Sequence, residues 1–164
     1  MWIEFNEMPA TARVWVYQAS ENLDDSLANQ IQAYLKQAVS QWAAHGQPLT
    51  GSAHVLYNRF LVVAVDESFN MPSGCSIDAS AQWLKSLESQ LGISFFDRSI
   101  AFLKDGVVQT IPMLKAKQAI AEGLITPDMP VFNPMVTTWT DFQTNWKIPA
   151  AKCWLKKHFA NVTV

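Results

Sequence analysis

Two carboxylates and a cysteine-containing hexapeptide are the residues whose types and order suit chemistry. Asp66 and Glu67 end the apolar run Phe60–Val65, and a short loop then leads to Ser73-Gly74-Cys75-Ser76-Ile77-Asp78. The run has the composition of a buried strand, and the hexapeptide opens an amphipathic helical pattern. Because α/β folds bind ligands beyond the ends of their strands, this stretch predicts a site between a strand end and a helix start.

Cys75 is the candidate nucleophile of this site. A helix N-terminus carries partial positive charge, which lowers the pKa of a thiol placed there. Gly74 allows close approach of the backbone to a bound group, and the amides from Cys75 to Ile77 can form an anion-binding nest. Free cysteine is also among the most buried residue types, so a ligand-loop cysteine and a packing cysteine remain open as alternatives.

The three carboxylates have several possible roles. Asp66 and Glu67 can assist Cys75, or they can join Asp78 as oxygen ligands of Mg²⁺ or Ca²⁺. Alternatively, the first two form a solvated strand end, and Asp78 or Ser76 caps the following helix.

Arg59 and His45 are the remaining candidates. Arg59 precedes the buried run directly and suits either an ion pair or the binding of an anion. His45 stands beside Gly46, which predicts the end of a long helix, where the helix dipole favours a cation. Its alternative role is to assist Cys75. The predicted site holds no metal and no cofactor, has Cys75 as its catalytic candidate, and binds its ligand through Arg59, Asp66, Glu67, Gly74, Cys75, Ser76 and Asp78.

The periodicity of apolar residues predicts the elements that position this site. Its order is β-α-β-α-β-β-α-α-α, which indicates one α+β domain over residues 1–164 with a mixed sheet of four to five strands. The predicted strands are Arg13–Ala19, a segment within Ala53–Val65 bending near Asn58, Ile100–Leu103, Val107–Ile111 after an Asp105-Gly106 turn, and a short edge strand at Val131-Phe132. The predicted helices start at Asn22 or Asp24, at Ser76 or Asp78, at Pro112, at Thr138 and at Pro149.

Composition narrows the class of protein. The chain has 164 residues, of which 49% are apolar and 16% charged, and this excludes a disordered chain. A net charge of -2 predicts no general attraction to nucleic acid or to a membrane. The first seven residues contain two acids and no basic residue, so no secretory signal is expected. Two cysteines form no disulfide framework, and we therefore expect a cytoplasmic protein with reduced thiols.

Seven tryptophans are many for this length. They indicate a large aromatic core, or alternatively the lining of a ligand groove or a partner surface, which includes the possibility of a homodimer. The sequence contains no Gly-x-x-x-x-Gly-Lys-Ser/Thr phosphate loop and no Gly-x-Gly-x-x-Gly, His-Glu-x-x-His or Gly-x-Ser-x-Gly motif. By motif, the protein is therefore not an ATPase.

Short segments along nearly the whole chain carry a resemblance to a known family. They are Arg13–Gln18, Trp42 with His45-Gly46, Asn58–Phe60, Val65–Glu67, Ser73–Asp78, Phe96–Arg98, Glu122–Thr126 and Val131–Asn133. In these segments the chain resembles an uncharacterised family of small cytosolic proteins from Bacteroidetes-type bacteria, often labelled "ABC transporter ATPase". The resemblance implies a single-domain cytosolic bacterial protein and supplies no catalytic residues. Residues 13–122 also resemble, more weakly, the thioredoxin fold.

These observations favour a domain that binds a small ligand or a protein partner at the Gly74-Cys75-Ser76 loop. The alternative is a thiol-dependent enzyme or redox sensor that uses Cys75. A third possibility is an interaction protein that pairs through exposed tryptophans.

Overall fold

The computed structural model describes residues 1–68 and 74–159, with the backbone alone at Cys75 and Ser76. Its helices and antiparallel strands confirm the predicted α+β class. The α-helices are α1 (Asp25–Ser40), α2 (Gly74–Leu91), α3 (Ala116–Ala121), α4 (Trp139–Asn145) and α5 (Lys156–Phe159). The strands are β1 (Arg13–Gln18), β2 (Ala43–Ala44), β3 (Gln47–Pro48), β4 (Thr50–Leu56), β5 (Phe60–Asp66), β6 (Ile100–Lys104), β7 (Val107–Ile111), β8 (Pro130–Phe132) and β9 (Lys147–Pro149). Three 3₁₀ helices cover Phe5–Glu7, Met113–Lys115 and Ala150–Lys152.

The strands form three antiparallel sheets rather than the single mixed sheet that we predicted. Their orders are β1-β5-β4, β2-β3 and β7-β6-β8-β9. The chain divides into two compact units. Unit 1 comprises Met1–Asp97 and Thr137–Phe142, and unit 2 comprises Arg98–Val136 and the chain from Gln143 onward. The organisation as one domain stays a prediction.

The sheet of unit 1 carries a buried core on the face that meets α1 and α2. Strand β5 is buried along its whole length, as predicted for a central strand. Helix α1 contributes Ile31, Leu35 and Val39 to this core, at the spacing of one helix face. Asp24 caps the helix as predicted, because its Oδ1 accepts a hydrogen bond of 2.7 Å from the backbone N–H of Leu27.

The predicted bend near Asn58 is the turn of a hairpin. Tyr57 and Asn58 have φ values of 54° and 51°, and they reverse the chain between β4 and β5. Because of this reversal β5 runs antiparallel to β1. A helical crossover of the thioredoxin type would make the two strands parallel, so the thioredoxin-like alternative does not fit.

Two predicted helix boundaries are wrong. Helix α1 ends at Ser40, and His45 and Gly46 instead form the turn between β2 and β3 with φ values of 52° and 75°. Two successive positive φ angles are the geometry of a tight hairpin turn, which a histidine-glycine pair tolerates. Helix α2 begins at Gly74, so Ser76 and Asp78 lie within its first two turns rather than at its N-cap position. Its end before Gly92, which has a φ of 69°, is confirmed.

Unit 2 is built on the predicted hairpin. Asp105 and Gly106 have φ values of 53° and 78° and join β6 to β7, as expected. The short strand at Val131-Phe132 is confirmed as β8, but it is not an edge strand because β9 pairs with its outer side. Pro149 was predicted to start a helix and instead ends β9. Within the described ranges, no helix has the length and apolarity needed to cross a membrane.

Candidate functional site

Arg59 is buried and bonded to the protein itself. Its side chain is 5% exposed. Nε donates to the carbonyl oxygen of Ala19 at 2.7 Å, and Nη1 donates to Oδ1 of Asn22 at 3.1 Å. Nη2 lies 3.9 Å from Oδ2 of Asp97. Burial lowers the pKa of Arg59, and the carboxylates of Asp97 and Glu21 oppose this shift. The guanidinium therefore joins the segment after β1 to the segment after α2.

Asp66 and Glu67 each have a local partner. Asp66 is buried at the end of β5, and its Oδ1 accepts a hydrogen bond of 2.9 Å from the backbone N–H of Ser68. Oε1 of Glu67 forms an ion pair of 3.2 Å with Nη1 of Arg13. Asp66 is thus buried and hydrogen-bonded rather than solvated, and the role of both carboxylates in binding a ligand stays a prediction.

The predicted hexapeptide enters α2. Gly74 is exposed, and a Cβ atom built on it would meet nothing within 4 Å. Asp78 is also exposed, while Ser73 and the side chains of Cys75 and Ser76 lie outside the described residues. No three His, Cys, Asp or Glu side chains in the described ranges lie close enough to hold a metal ion, so Asp66, Glu67 and Asp78 do not converge on one.

An open groove of about 610 Å³ lies between α1 and α2. This volume falls within the range of ligand pockets, roughly 300–1,000 Å³. Helix α1 lines it with residues at i, i+3 and i+4, the C-cap residue Gln41 follows at i+7, and α2 adds two residues at i, i+4 spacing. The lining residues are Tyr34, Gln37, Ala38, Gln41, Trp42, Ala43, Ala79 and Trp83.

The wall of the groove is aromatic. The rings of Trp42 and Trp83 meet edge to face, with centroids 5.1 Å apart and an interplanar angle of 72°. Trp15 supports Trp42 from the core at a centroid distance of 6.3 Å. Trp42 is 3% exposed, so the edge-to-face contact fixes its ring, whereas Trp83 and Tyr34 are only partly buried. The aromatic surface that the groove exposes therefore comes mainly from Trp83 and Tyr34, with Trp42 packed against Trp83.

Two primary amides stand beside these rings. The side chains of Gln37 and Gln41 are exposed, and they form no hydrogen bond with the described part of the chain. Each amide offers two donor hydrogens and an acceptor oxygen. Among the described residues that line the groove, none carries a charge. The groove thus combines aromatic surface with uncharged hydrogen-bonding groups.

A second depression of about 380 Å³ lies between α1, β4 and the segment around Phe5. Two of its side-chain amides, those of Gln32 and Asn58, already have partners within the protein. Gln32 donates through Nε2 to the carbonyl oxygen of Ala53 and accepts through Oε1 from the N–H of Val55, both at 2.9 Å. Asn58 donates to Oδ1 of Asp25 at 2.7 Å. These amides complete the edge of β4 and the hairpin turn, so the first groove is the better candidate site.

The sequence prediction placed the site one helical turn away from this groove. Ala79 lines the groove and follows Cys75 by four residues in α2, so the predicted loop and the groove share this helix. The residues that were missed are Gln37 and Gln41. In the sequence, the two glutamines belong to a stripe at helical spacing that also contains Tyr34 and Ala38. This stripe lies beside the apolar stripe of α1.

Comparison of the chain with protein-family models, curated proteins and solved structures finds no match in any of the three. The resemblance to the family of small bacterial proteins stays a prediction.

Proposed function

We propose that this protein binds a small uncharged, ring-shaped ligand in the groove between α1 and α2. The observation that supports this proposal is the pair of glutamine amides, Gln37 and Gln41, beside the aromatic wall formed by Tyr34, Trp42 and Trp83. A cytoplasmic location is part of the same proposal, and its support is that the two cysteines make no disulfide framework.

The chemistry of the lining sets the class of ligand. Aromatic faces attract flat or ring-shaped molecules, and a stacked ring gains roughly 1–3 kcal/mol from such a contact. Amides recognise hydroxyl, amino or carbonyl groups at the edge of the ring. A charged ligand would lose hydration without meeting an opposite charge from the described lining residues, because none of these is ionised. A nucleoside base and a sugar ring both meet these requirements.

Ligand-observed saturation-transfer NMR with adenosine and with methyl β-glucopyranoside tests the proposal. We expect one of these probes to bind, and we expect Trp83→Ala to weaken its binding at least about fivefold through the lost stacking. Trp154→Ala is the control, because Trp154 is 38% exposed and lies in unit 2. Absence of binding by both probes, or equal weakening by both variants, would refute the proposal.

The contribution of the amides is measured separately with a matched pair of variants. Gln37 and Gln30 are both exposed on α1, but only Gln37 lines the groove. A lost hydrogen bond costs about 0.5–1.5 kcal/mol, which corresponds to a roughly two- to tenfold weaker affinity for Gln37→Ala. Gln30→Ala should bind as the wild type does. Equal affinities of the two variants for the ligand would show that the Gln37 side chain does not contribute to binding.

A thiol-dependent enzyme or sensor is the second candidate. Cys75 lies in the first turn of α2, an 18-residue helix without acidic residues in that turn, and such a position favours a thiolate. The test is the pH dependence of alkylation in the folded protein. Cys153 is the internal control, because burial raises its pKa and its Sγ donates to the carbonyl oxygen of Ala150 at 3.1 Å. A Cys75 that reacts no faster than Cys153 would exclude this candidate.

A further inference from the structure

The net charge of the chain conceals an uneven distribution of charged residues. Unit 2 contains eight Lys or Arg and three Asp or Glu, whereas unit 1 contains four and eleven, so their formal charges are +5 and -7. The expectation that the protein has no attraction to anionic surfaces depended on the total of -2. The total does not describe unit 2 taken by itself, because the field of a local excess of lysines acts over a Debye length of about 8 Å.

The lysines of unit 2 concentrate on four short elements that pack together. Helix α3 packs against the 3₁₀ helix Met113–Lys115 and against α5, and α5 packs against the 3₁₀ helix Ala150–Lys152. Ala116, Ile120 and Leu155 form the buried core between them. None of the four elements contains an aspartate or glutamate. Their exposed lysines are Lys115, Lys117, Lys152, Lys156 and Lys157.

Large apolar side chains project from the same elements. Leu114 is 99% exposed and Met113 is 54% exposed, both on the 3₁₀ helix that leads into α3. Trp154, between the 3₁₀ helix Ala150–Lys152 and α5, is 38% exposed. Leu114 is therefore surrounded by solvent and has a lysine next to it in the sequence. We refer to these three apolar residues and the five lysines as the lysine–leucine surface.

We infer that the lysine–leucine surface docks the protein reversibly onto an anionic lipid surface. Lysines attract anionic head groups, and each lysine near such a surface strengthens binding roughly fivefold. Leucine, methionine and tryptophan side chains gain by entering the boundary between head groups and acyl chains, where water is excluded. A nucleic acid would offer phosphates to Leu114 and Met113 and would leave their apolar surface without a partner. In this proposal the protein binds at the surface of the lipid bilayer and does not cross it.

Cosedimentation of the full chain with phosphatidylcholine vesicles, with and without phosphatidylglycerol, tests the inference. We expect binding to the anionic vesicles alone, and weaker binding as salt is added. Lys156→Glu with Lys157→Glu should weaken this binding by at least about 25-fold, counting only the two lost attractions. Leu114→Ser should weaken it about tenfold. All three side chains are exposed, so the variants should fold as the wild type does.

A control variant with the same change in net charge distinguishes an effect of the lysines in unit 2 from an effect of the total charge of the chain. Lys36→Glu with Lys85→Glu makes the same change in net charge within unit 1, where both side chains are exposed. This control should bind anionic vesicles as the wild type does. Trp154 emission should shift to the blue on binding, and Trp154→Phe should abolish the shift. Equal loss in the control, equal binding to neutral vesicles, or tighter binding to oligodeoxythymidine than to vesicles would overturn the inference.

Discussion

Replacement of Arg59 by methionine tests whether this arginine belongs to the fold or to an anion site. Methionine keeps the apolar stem but removes the hydrogen bonds to Ala19 and Asn22 and the ion pair with Asp97. Hydrogen bonds to a charged group contribute about 1.5–3 kcal/mol each, and part of this is recovered by hydration. We therefore expect Arg59→Met to lower the free energy of unfolding by about 3 kcal/mol.

Urea denaturation followed by circular dichroism measures this loss, which corresponds to a midpoint lower by about 1.5–2 M. Arg13→Met is the matched control. Arg13 is 47% exposed in its pair with Glu67, and a surface ion pair of this kind contributes at most about 1 kcal/mol. Equal midpoints for the two variants would refute the structural role. So would stabilisation of the wild type, but not of Arg59→Met, by added phosphate.

Two further predictions concern unit 1. A Cβ atom on Gly51 would lie 2.8 Å from the carbonyl oxygen of Ala64 and 3.3 Å from Cγ1 of Val39, so Gly51→Ala should cost about 1–3 kcal/mol in thermal unfolding. Gly74→Ala, which meets no atom, is the control, and similar melting temperatures would contradict the packing argument. Burial lowers the pKa of His54 below its ordinary value of 6.5, so the unfolded chain binds more protons and stability should fall as the pH drops below about 6.5. His54→Gln should flatten this dependence, and an unchanged slope would assign it to other groups.

The sequence predicted correctly those elements whose conformation depends on residues close together in the chain. Asp24 caps α1, Asp105-Gly106 turns the β6–β7 hairpin, and the apolar run of β5 is central and buried. In each case a few neighbouring residues determine the conformation through a cap, a turn with positive φ, or burial on both faces.

Features that depend on distant pairing were not predictable in this way. Pro149 has the sequence context of a helix start, but its segment pairs with β8 and becomes a strand. Arg59 directly precedes the run Phe60–Val65 in the sequence, but its partners come from loops that the sheet brings together. The groove is a pairing of two helix stripes, and the sequence identifies each stripe without showing that they meet.

The side-chain NMR signals of the groove test the binding proposal most directly. In ¹⁵N-labelled protein titrated with adenosine or methyl β-glucopyranoside, we predict shifts of the Gln37 and Gln41 amides and of the Trp83 indole N–H. The Gln30 amide and the Trp154 indole should not move, because neither lines the groove. Shifts spread evenly over all five groups, or none at Gln37 and Gln41, would contradict a ligand site between α1 and α2.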